Sequence, residues 1–315
     1  MNDPRLARTS RELFLSALTG GTADLDTWLI DRMTSVVEEE DVESGQRLFA
    51  QGEQPEFIFF VRDGKVRLER DGSKPWLFAG RSVVGVFDAL LDRPHTRTAV
   101  AETGVHVLKL RVEHWLDLLE DSFGLARLAL ANSVATVASL ETRRWKADPK
   151  PQGSVVAPVL PIEPPLAFVD RLAILAETPL LRGAGIQVLV DVAEFVAEVT
   201  FPPGEAIFER GQQRGQAFLV LEGQAVGDWN DPKHNVSFGP GSLVGGVASL
   251  GEPIAEWQAH AATQVRALSV PLEDWFNQME EHFDLVRSAL CALAIAREAI
   301  LEDLAAREGD LSADG

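Results

Sequence analysis

The sequence repeats itself, and the repeat limits the chain to folds that can be built twice. "VESGQRLFAQGEQPEFIFFVRDGKV", from Val42, matches "FPPGEAIFERGQQRGQAFLVLEGQA", from Phe201. Gly45, Phe49, Gly52 and Gly64 fall on Gly204, Phe208, Gly211 and Gly223, each 159 residues on. Val84 and Gly85 fall on Val244 and Gly245, Trp115 on Trp275 and Phe123 on Phe283, each 160 residues on. A slip of one residue between the two sets fits a loop insertion. Glycines, aromatics and a tryptophan held at a nearly constant offset mark a duplicated structural unit.

Each copy carries the same order of signals. Helical segments come first, Arg11–Val37 and Phe168–Val199, and Thr9 with Glu12 forms a capping box ahead of the first. Short strand-like runs with glycine turns follow: "RLFAQG", "EFIFFVRDG" and "KVRLERDG" in one copy, "AIFERG" and "AFLVLEG" in the other. Such runs without βαβ alternation predict an antiparallel roll or barrel. A glycine-opened helical turn interrupts the strands at Gly85 and Gly245, and a long helix closes each copy, Val112–Trp145 and Leu272–Arg307. Between the copies, Lys146–Pro165 holds prolines at 149, 151, 158, 161, 164 and 165. Neither a helix nor a central strand tolerates that density. The expected organisation is therefore a first domain over 1–145, a semi-extended linker over 146–165 and a second domain over 166–315, an α+β chain of two tandem jelly-roll-like β-rolls.

Bulk properties narrow the function. The formal net charge of −19 disfavours nucleic acid and anionic membrane surfaces. Residues 1–145 carry 18 basic and 23 acidic side chains, leaving 11 of the 29 basic and 25 of the 48 acidic residues to the second part. Cys291, the single cysteine, lies in an apolar helical run and is expected to be a buried, inert thiol. "MNDPRLARTSRELF" has no secretory core, so a soluble, cytoplasmic protein without membrane insertion is expected. His95, His106, His114, His234, His260 and His282 show no metal spacing with carboxylates, and no Walker loop occurs. No enzyme activity is expected.

Helices, a β-roll broken by one short helix and a long closing helix resemble the cyclic-nucleotide-binding domain. The run "PGEAIFERG…AFLVLEG" resembles that family's glycine-spaced pattern, and two copies resemble the regulatory subunits of cyclic-nucleotide-dependent kinases. No helix-turn-helix signal follows the closing helices, unlike the family's transcription factors. The resemblance implies a phosphate-binding cassette of the form "F-G-E-L-A-L-…-P-R-A-A-T-V". In it, backbone N–H groups after the glycine face the cyclic phosphate, the glutamate accepts the ribose 2′-OH and the arginine pairs with the phosphate.

On that pattern both copies keep the glycine and lose both recognition side chains. Gly85 is retained in the first, with Val86 for the glutamate and His95 for the arginine. Gly245 is retained in the second, with Gly246 for the glutamate and Ala255 for the arginine. Two lost charge-assisted contacts forfeit about 3–6 kcal/mol, turning a micromolar site into a millimolar one at best. Asp88 is expected to face the N–H groups of the first helical turn and repel a phosphate, and Glu256 stands beside Ala255. No cofactor is expected, and binding of cyclic AMP or cyclic GMP is doubted.

Other residues have a plain reading beside a functional one. His95 is expected at a surface or turn, mostly neutral at pH 7. Arg97, two residues on, is the candidate for a displaced anion partner; Arg81 and Arg93 have weaker claims. Trp257 is expected to fill a vacated pocket rather than stack on a purine. Trp115 and Trp275 read as packing anchors. The run from Leu290 to Leu304 has an apolar stripe suited to pairing with another helix, in relatives a dimer seam. "RLARTSRE" resembles a kinase-inhibitory segment only loosely. The reading is a non-enzymatic scaffold, adaptor or structural subunit with a protein partner and a homodimer seam. The alternative is a regulatory sensor of a cyclic nucleotide or another anion, controlling a partner enzyme.

Overall fold

The computed structural model describes residues 32, 35–147, 165–178, 180–181, 184–213, 215–228, 235–245, 257–308 and 311–312. The capping box at Thr9 and Glu12, the segment "RLARTSRE", most of the first predicted helix and residues 148–164 of the linker lie outside these. So do Gly246, Ala255 and Glu256.

The chain forms two compact units. One takes the chain up to Glu141 together with Leu293–Gly315; the other is Thr142–Ala292. Whereas the sequence suggests that the second copy keeps its whole closing helix, the end of that helix packs with the first unit.

In the first unit the strands are β1 (Val37–Val42), β2 (Arg47–Phe49), β3 (Phe57–Asp63), β4 (Val66–Glu69), β5 (Trp76–Phe78) and β6 (Ser82–Val84). A short helix, α1 (Val86–Leu90), precedes β7 (Thr98–Ala101) and β8 (Val105–Arg111). They form an antiparallel sheet of order β1-β8-β3-β6 and a second containing β5-β4-β7-β2. Ile58 to Val61 of β3 are all buried, so this strand is covered on both faces, whereas Val66 and Leu68 of β4 alternate with partly exposed Arg67 and Glu69. The helices α2 (Val112–Asp121) and α3 (Phe123–Ala147) follow.

The second unit opens with α4 (Phe168–Ala176) and α5 (Ile186–Phe195), followed by β9 (Ala197–Phe201), β10 (Ala206–Phe208), β11 (Gln216–Glu222), β12 (Ala225–Asp228), β13 (Val236–Phe238), β14 (Leu243–Val244), β15 (Gln258–Ala261) and β16 (Val265–Pro271). Among the described residues its sheets run β14-β11-β16-β9 and β10-β15-β12-β13, each pairing antiparallel. The helices α6 (Leu272–Glu281) and α7 (Phe283–Glu308) close the repeat, and β17 (Leu311–Ser312) follows.

Each predicted closing helix is two helices. Ser122 (φ −138°, ψ 97°) and His282 (φ −129°, ψ 92°) leave the helical region, and the chain restarts at Phe123 and Phe283. Ser122 then serves the restart, its Oγ accepting the Leu125 amide at 3.3 Å. Trp115 and Trp275 are buried at the equivalent places in α2 and α6, as packing anchors should be.

The duplication extends to details of register. A bulge interrupts β3 against β8 between Val61 and Asp63, and another interrupts β11 against β16 between Val220 and Glu222. Each bulge lies beside an equivalent polar residue. His106 Nδ1 sits 2.7 Å from Asp41 Oδ1, and the Arg266 guanidinium reaches Glu198 and Glu222. Gly64 (φ 94°) and Gly223 (φ 83°) turn the β3–β4 and β11–β12 hairpins, where a Cβ would run into the carbonyl oxygens of Gly104 and Gln264.

The core of the first roll holds Phe59, Val61, Val66, Trp76 and Phe78, and also Ile300, Leu301, Leu304 and Ala305 of α7. Of the stripe expected to pair with another helix, the part from Leu293 on belongs to the first unit, where Ile300, Leu301 and Leu304 are buried, whereas Leu290 is buried in the second; Ile295 remains 56% exposed. Leu311 and Ser312 of β17 continue the attachment, pairing in parallel with Trp76 and Leu77 of β5. Phe123–Arg144 of α3 is the one helix among the described residues long and apolar enough to cross a membrane. It sends Leu140 into the core of the first roll.

Candidate ligand cassette and ion-pair cluster

The first cassette begins where β6 ends. Gly85 takes φ 87° and caps α1, whose N-terminus has no side-chain cap. Three backbone bonds close the turn after α1: Leu91 to Phe87, Asp92 to Ala89 and Arg93 to Asp88. The chain then passes the β2–β3 turn, where the His95 amide donates to the Glu53 carbonyl and the Gly52 amide to the His95 carbonyl, each at 2.8 Å.

This clip explains a departure from expectation. His95 is buried, not on the surface, and its ring stacks on Phe49 with centroids 3.7 Å apart and planes at 17°. A Cβ built on Gly85 would meet the Phe57 carbonyl oxygen at 3.1 Å, the Phe49 ring at 3.5 Å and the His95 ring at 3.8 Å. The structure thus brings Gly85 and His95 together, with the space against the glycine filled by two rings. Val86 begins α1 and is half-buried.

Asp88 also differs from its expected role. It is buried, and its carboxylate accepts from Arg93 Nε at 2.7 Å and from the Thr96 amide at 3.1 Å, with His95 Nδ1 3.4 Å away. Burial would raise the carboxyl, but His95, the Thr96 amide and Arg93 together outweigh it and hold Asp88 below the ordinary carboxylate value. Asp88 therefore pins the loop after α1.

Arg93 links that loop to α7. Its Nη2 donates to both carboxylate oxygens of Glu298, at 2.8 and 2.9 Å. Burial would lower the guanidinium, but Glu298 and Asp88 prevail and raise it.

Arg97 precedes β7 and is only 1% exposed. Its guanidinium lies over the Trp76 ring at 3.9 Å, and Nη1 donates to the Lys74 carbonyl at 3.2 Å. Its Nη2 donates to Glu302 Oε1 at 2.8 Å. Arg70 Nη2 donates to the same oxygen at 2.9 Å, so two guanidinium groups share one carboxylate oxygen. The candidate anion partner thus already holds an anion, supplied by the chain. Trp76, Arg70, Glu298 and Glu302 were not singled out by the sequence. Glu298 and Glu302 are spaced i, i+4 and so share one face of α7. No local motif links them to residues 205 positions earlier. Arg81, the other weak candidate, is exposed in the β5–β6 turn with φ 74°.

In the second unit Gly245 repeats the conformation of Gly85, with φ 78°. Trp257 is buried, stacked on Phe238 at 5.7 Å and edge-on to Phe208 at 4.7 Å. Phe49 and Phe208 are repeat equivalents, and each packs on an aromatic ring, His95 in one unit and Trp257 in the other. Cys291 is half-buried rather than fully buried, and burial pushes its thiol up. Among the described residues, no cluster of three or more His, Cys, Asp or Glu side chains is placed to hold a metal ion.

Two antiparallel β-rolls with closing helices, the first carrying a glycine-opened helical turn at Gly85 and the second Gly245 in the same conformation, define a protein of two tandem β-roll domains. The sequence profile of the cyclic nucleotide-binding domain matches residues 39–122 and again 198–282, and the chain belongs to that family. A cyclic nucleotide-gated potassium channel of Rhizobium etli is 27% identical over 108 residues, which are 34% of this chain and 30% of the channel. The match therefore spans less than a third of that relative's length. Among solved structures, the chain is similar to the regulatory domain of Toxoplasma gondii PKA with cAMP, at 15% identity and a TM-score of 0.34, over 94% of this chain and 98% of that one. It is also similar to the regulatory subunit of a cAMP-independent protein kinase A from Trypanosoma brucei, at 16% identity and a TM-score of 0.35, over 98% and 92%.

Proposed function

We propose that this protein is a non-enzymatic regulatory or scaffold subunit that binds a protein partner, with degenerate cassettes that do not take cyclic AMP or cyclic GMP. The observation that carries this is the pairing of Arg97 with Glu302 of α7, the arginine buried against Trp76. The candidate phosphate partner is thereby engaged by a carboxylate of the same chain. At the cassette itself, Val86 stands where the family's ribose-binding glutamate belongs, His95 replaces its phosphate arginine, and the His95–Phe49 stack lies against Gly85. In the second copy Gly246 and Ala255 take the two recognition positions.

A cassette that fills and empties moves its closing helix. With the first cassette packed and the end of α7 held in the core of the first unit, that unit offers a surface that cyclic nucleotides do not move, suited to a protein partner. The acidic second half favours a partner with basic character. Calorimetric titration with cyclic AMP and cyclic GMP tests the reading. No heat of binding up to millimolar ligand is expected, and a micromolar site for either nucleotide would overturn it.

A further inference from the structure

We infer that Glu302 and Glu298 act as a built-in substitute for a phosphate-bearing ligand, and that the arginines beneath them form a latent anion site. The inference rests on the reading above, because it takes Arg97 rather than the cassette as the anion partner. Three guanidinium groups converge on this short stretch of α7. Arg70 and Arg97 share Glu302 Oε1, and Arg93 holds both oxygens of Glu298. The Arg97 side chain is 1% exposed, while that of Glu302 is 35% exposed. The cation is thus fixed in the roll, and the anion sits on its open side. Arg97 Nε is also buried and has no hydrogen-bond partner among the described residues, an unused donor beside the occupied one.

Arginine forks match the oxygens of a phosphate as well as those of a carboxylate. A phosphate dianion carries more charge and more acceptor oxygens than one glutamate, so it competes for the same donors. Arg97 cannot lose its proton, and a buried cation without a counter-ion is costly. Removing the two carboxylate charges therefore makes the site recruit an anion from solution. In the unaltered chain, phosphate competes with Glu302 and loosens the segment that carries it, Leu293–Glu308. That segment also supplies Ile300, Leu301 and Leu304 to the core, so occupancy of the site is coupled to exposure of an apolar helix face.

The test uses the full chain and an E298Q/E302Q variant, with thermal unfolding in inorganic phosphate, 5′-AMP, cyclic AMP and chloride at equal ionic strength. The inference predicts that phosphate stabilises the variant and binds it roughly tenfold more tightly than the unaltered chain. Stabilisation by 5′-AMP alone would place the source of the phosphate group in a nucleotide, and stabilisation by both would make free phosphate sufficient. No anion-specific stabilisation of the variant would overturn the inference. If the variant does not fold, hydrogen exchange of the unaltered chain decides. Faster exchange confined to 293–308 in phosphate supports the inference, and identical exchange in phosphate and chloride overturns it. Binding of cyclic AMP by the unaltered chain would refute the functional reading separately, since that arm does not depend on the variant.

Discussion

At Arg97 the structure turns a residue type into a specific chemistry. Its guanidinium is buried, stacked on Trp76 and held by Glu302 and the Lys74 carbonyl. Glu302→Ala removes the charged partner and is expected to destabilise the protein by about 1–3 kcal/mol, below the full cost for a wholly buried pair because Glu302 is partly exposed. Glu56→Gln removes the partner of Arg111 in a pair whose side chains are 42% and 63% exposed, and should cost under about 1 kcal/mol. Urea unfolding of both variants measures the contrast. Asp88 gives a pH prediction. Its carboxyl is held below the ordinary value of 3.8, so its contribution is complete above that pH and is lost as pH falls through the lower folded value. The stability gap between the unaltered protein and Asp88→Asn should be constant from pH 7 to about 5 and narrow progressively as pH falls below 3.8. A gap that does not narrow as pH falls below 3.8 would count against this assignment. His95 and Arg97 were legible from their place in the cassette motif. Their surroundings were not, because Phe49, Glu53, Trp76 and Glu302 reach them only through tertiary packing.

Glycine spacing made the strands and their turns readable, for a physical reason. At Gly64 and Gly223 the hairpin needs positive φ and has no room for a Cβ. Gly64→Ala and Gly223→Ala are each expected to cost at least about 1–2 kcal/mol. The β5–β6 turn shows the converse. Arg81 adopts φ 74° and donates its amide to the Val61 carbonyl, whereas the equivalent Gly241 adopts φ 82° and donates to Val220. Arg81→Gly should therefore cost nothing or stabilise by up to about 1 kcal/mol, as read from the thermal midpoint. The division of each closing helix was harder to read. Ser122 is a good N-cap residue and, with Gly124 beside it, carried a faint signal, but His282 carries none, and no proline or glycine marks the second break. Along α7 the apolar spacing identified a buried stripe but not its partner. Leu301→Ala, at a fully buried site, is expected to cost about 2–5 kcal/mol, while Ile295→Ala on the exposed face should cost under about 0.5 kcal/mol.

Across the whole molecule, the duplication gives two rolls of one plan with two different aromatic contacts at the equivalent phenylalanine, His95 on Phe49 and Trp257 on Phe208 and Phe238. The tandem plan was written in the sequence, since turn glycines must recur wherever the fold recurs. The assignment of Leu293–Gly315 to the first compact unit was not, because helical periodicity shows which face is buried and not which partner buries it. The central claim is that a protein of the cyclic nucleotide-binding family keeps the cassette's backbone while its own side chains stand in the ligand's place. Thermal unfolding with and without millimolar cyclic AMP and cyclic GMP tests this most directly. Millimolar ligand on a micromolar site adds about 4 kcal/mol, a shift of several degrees. The account predicts an unchanged midpoint with either nucleotide; a rise of several degrees would contradict it.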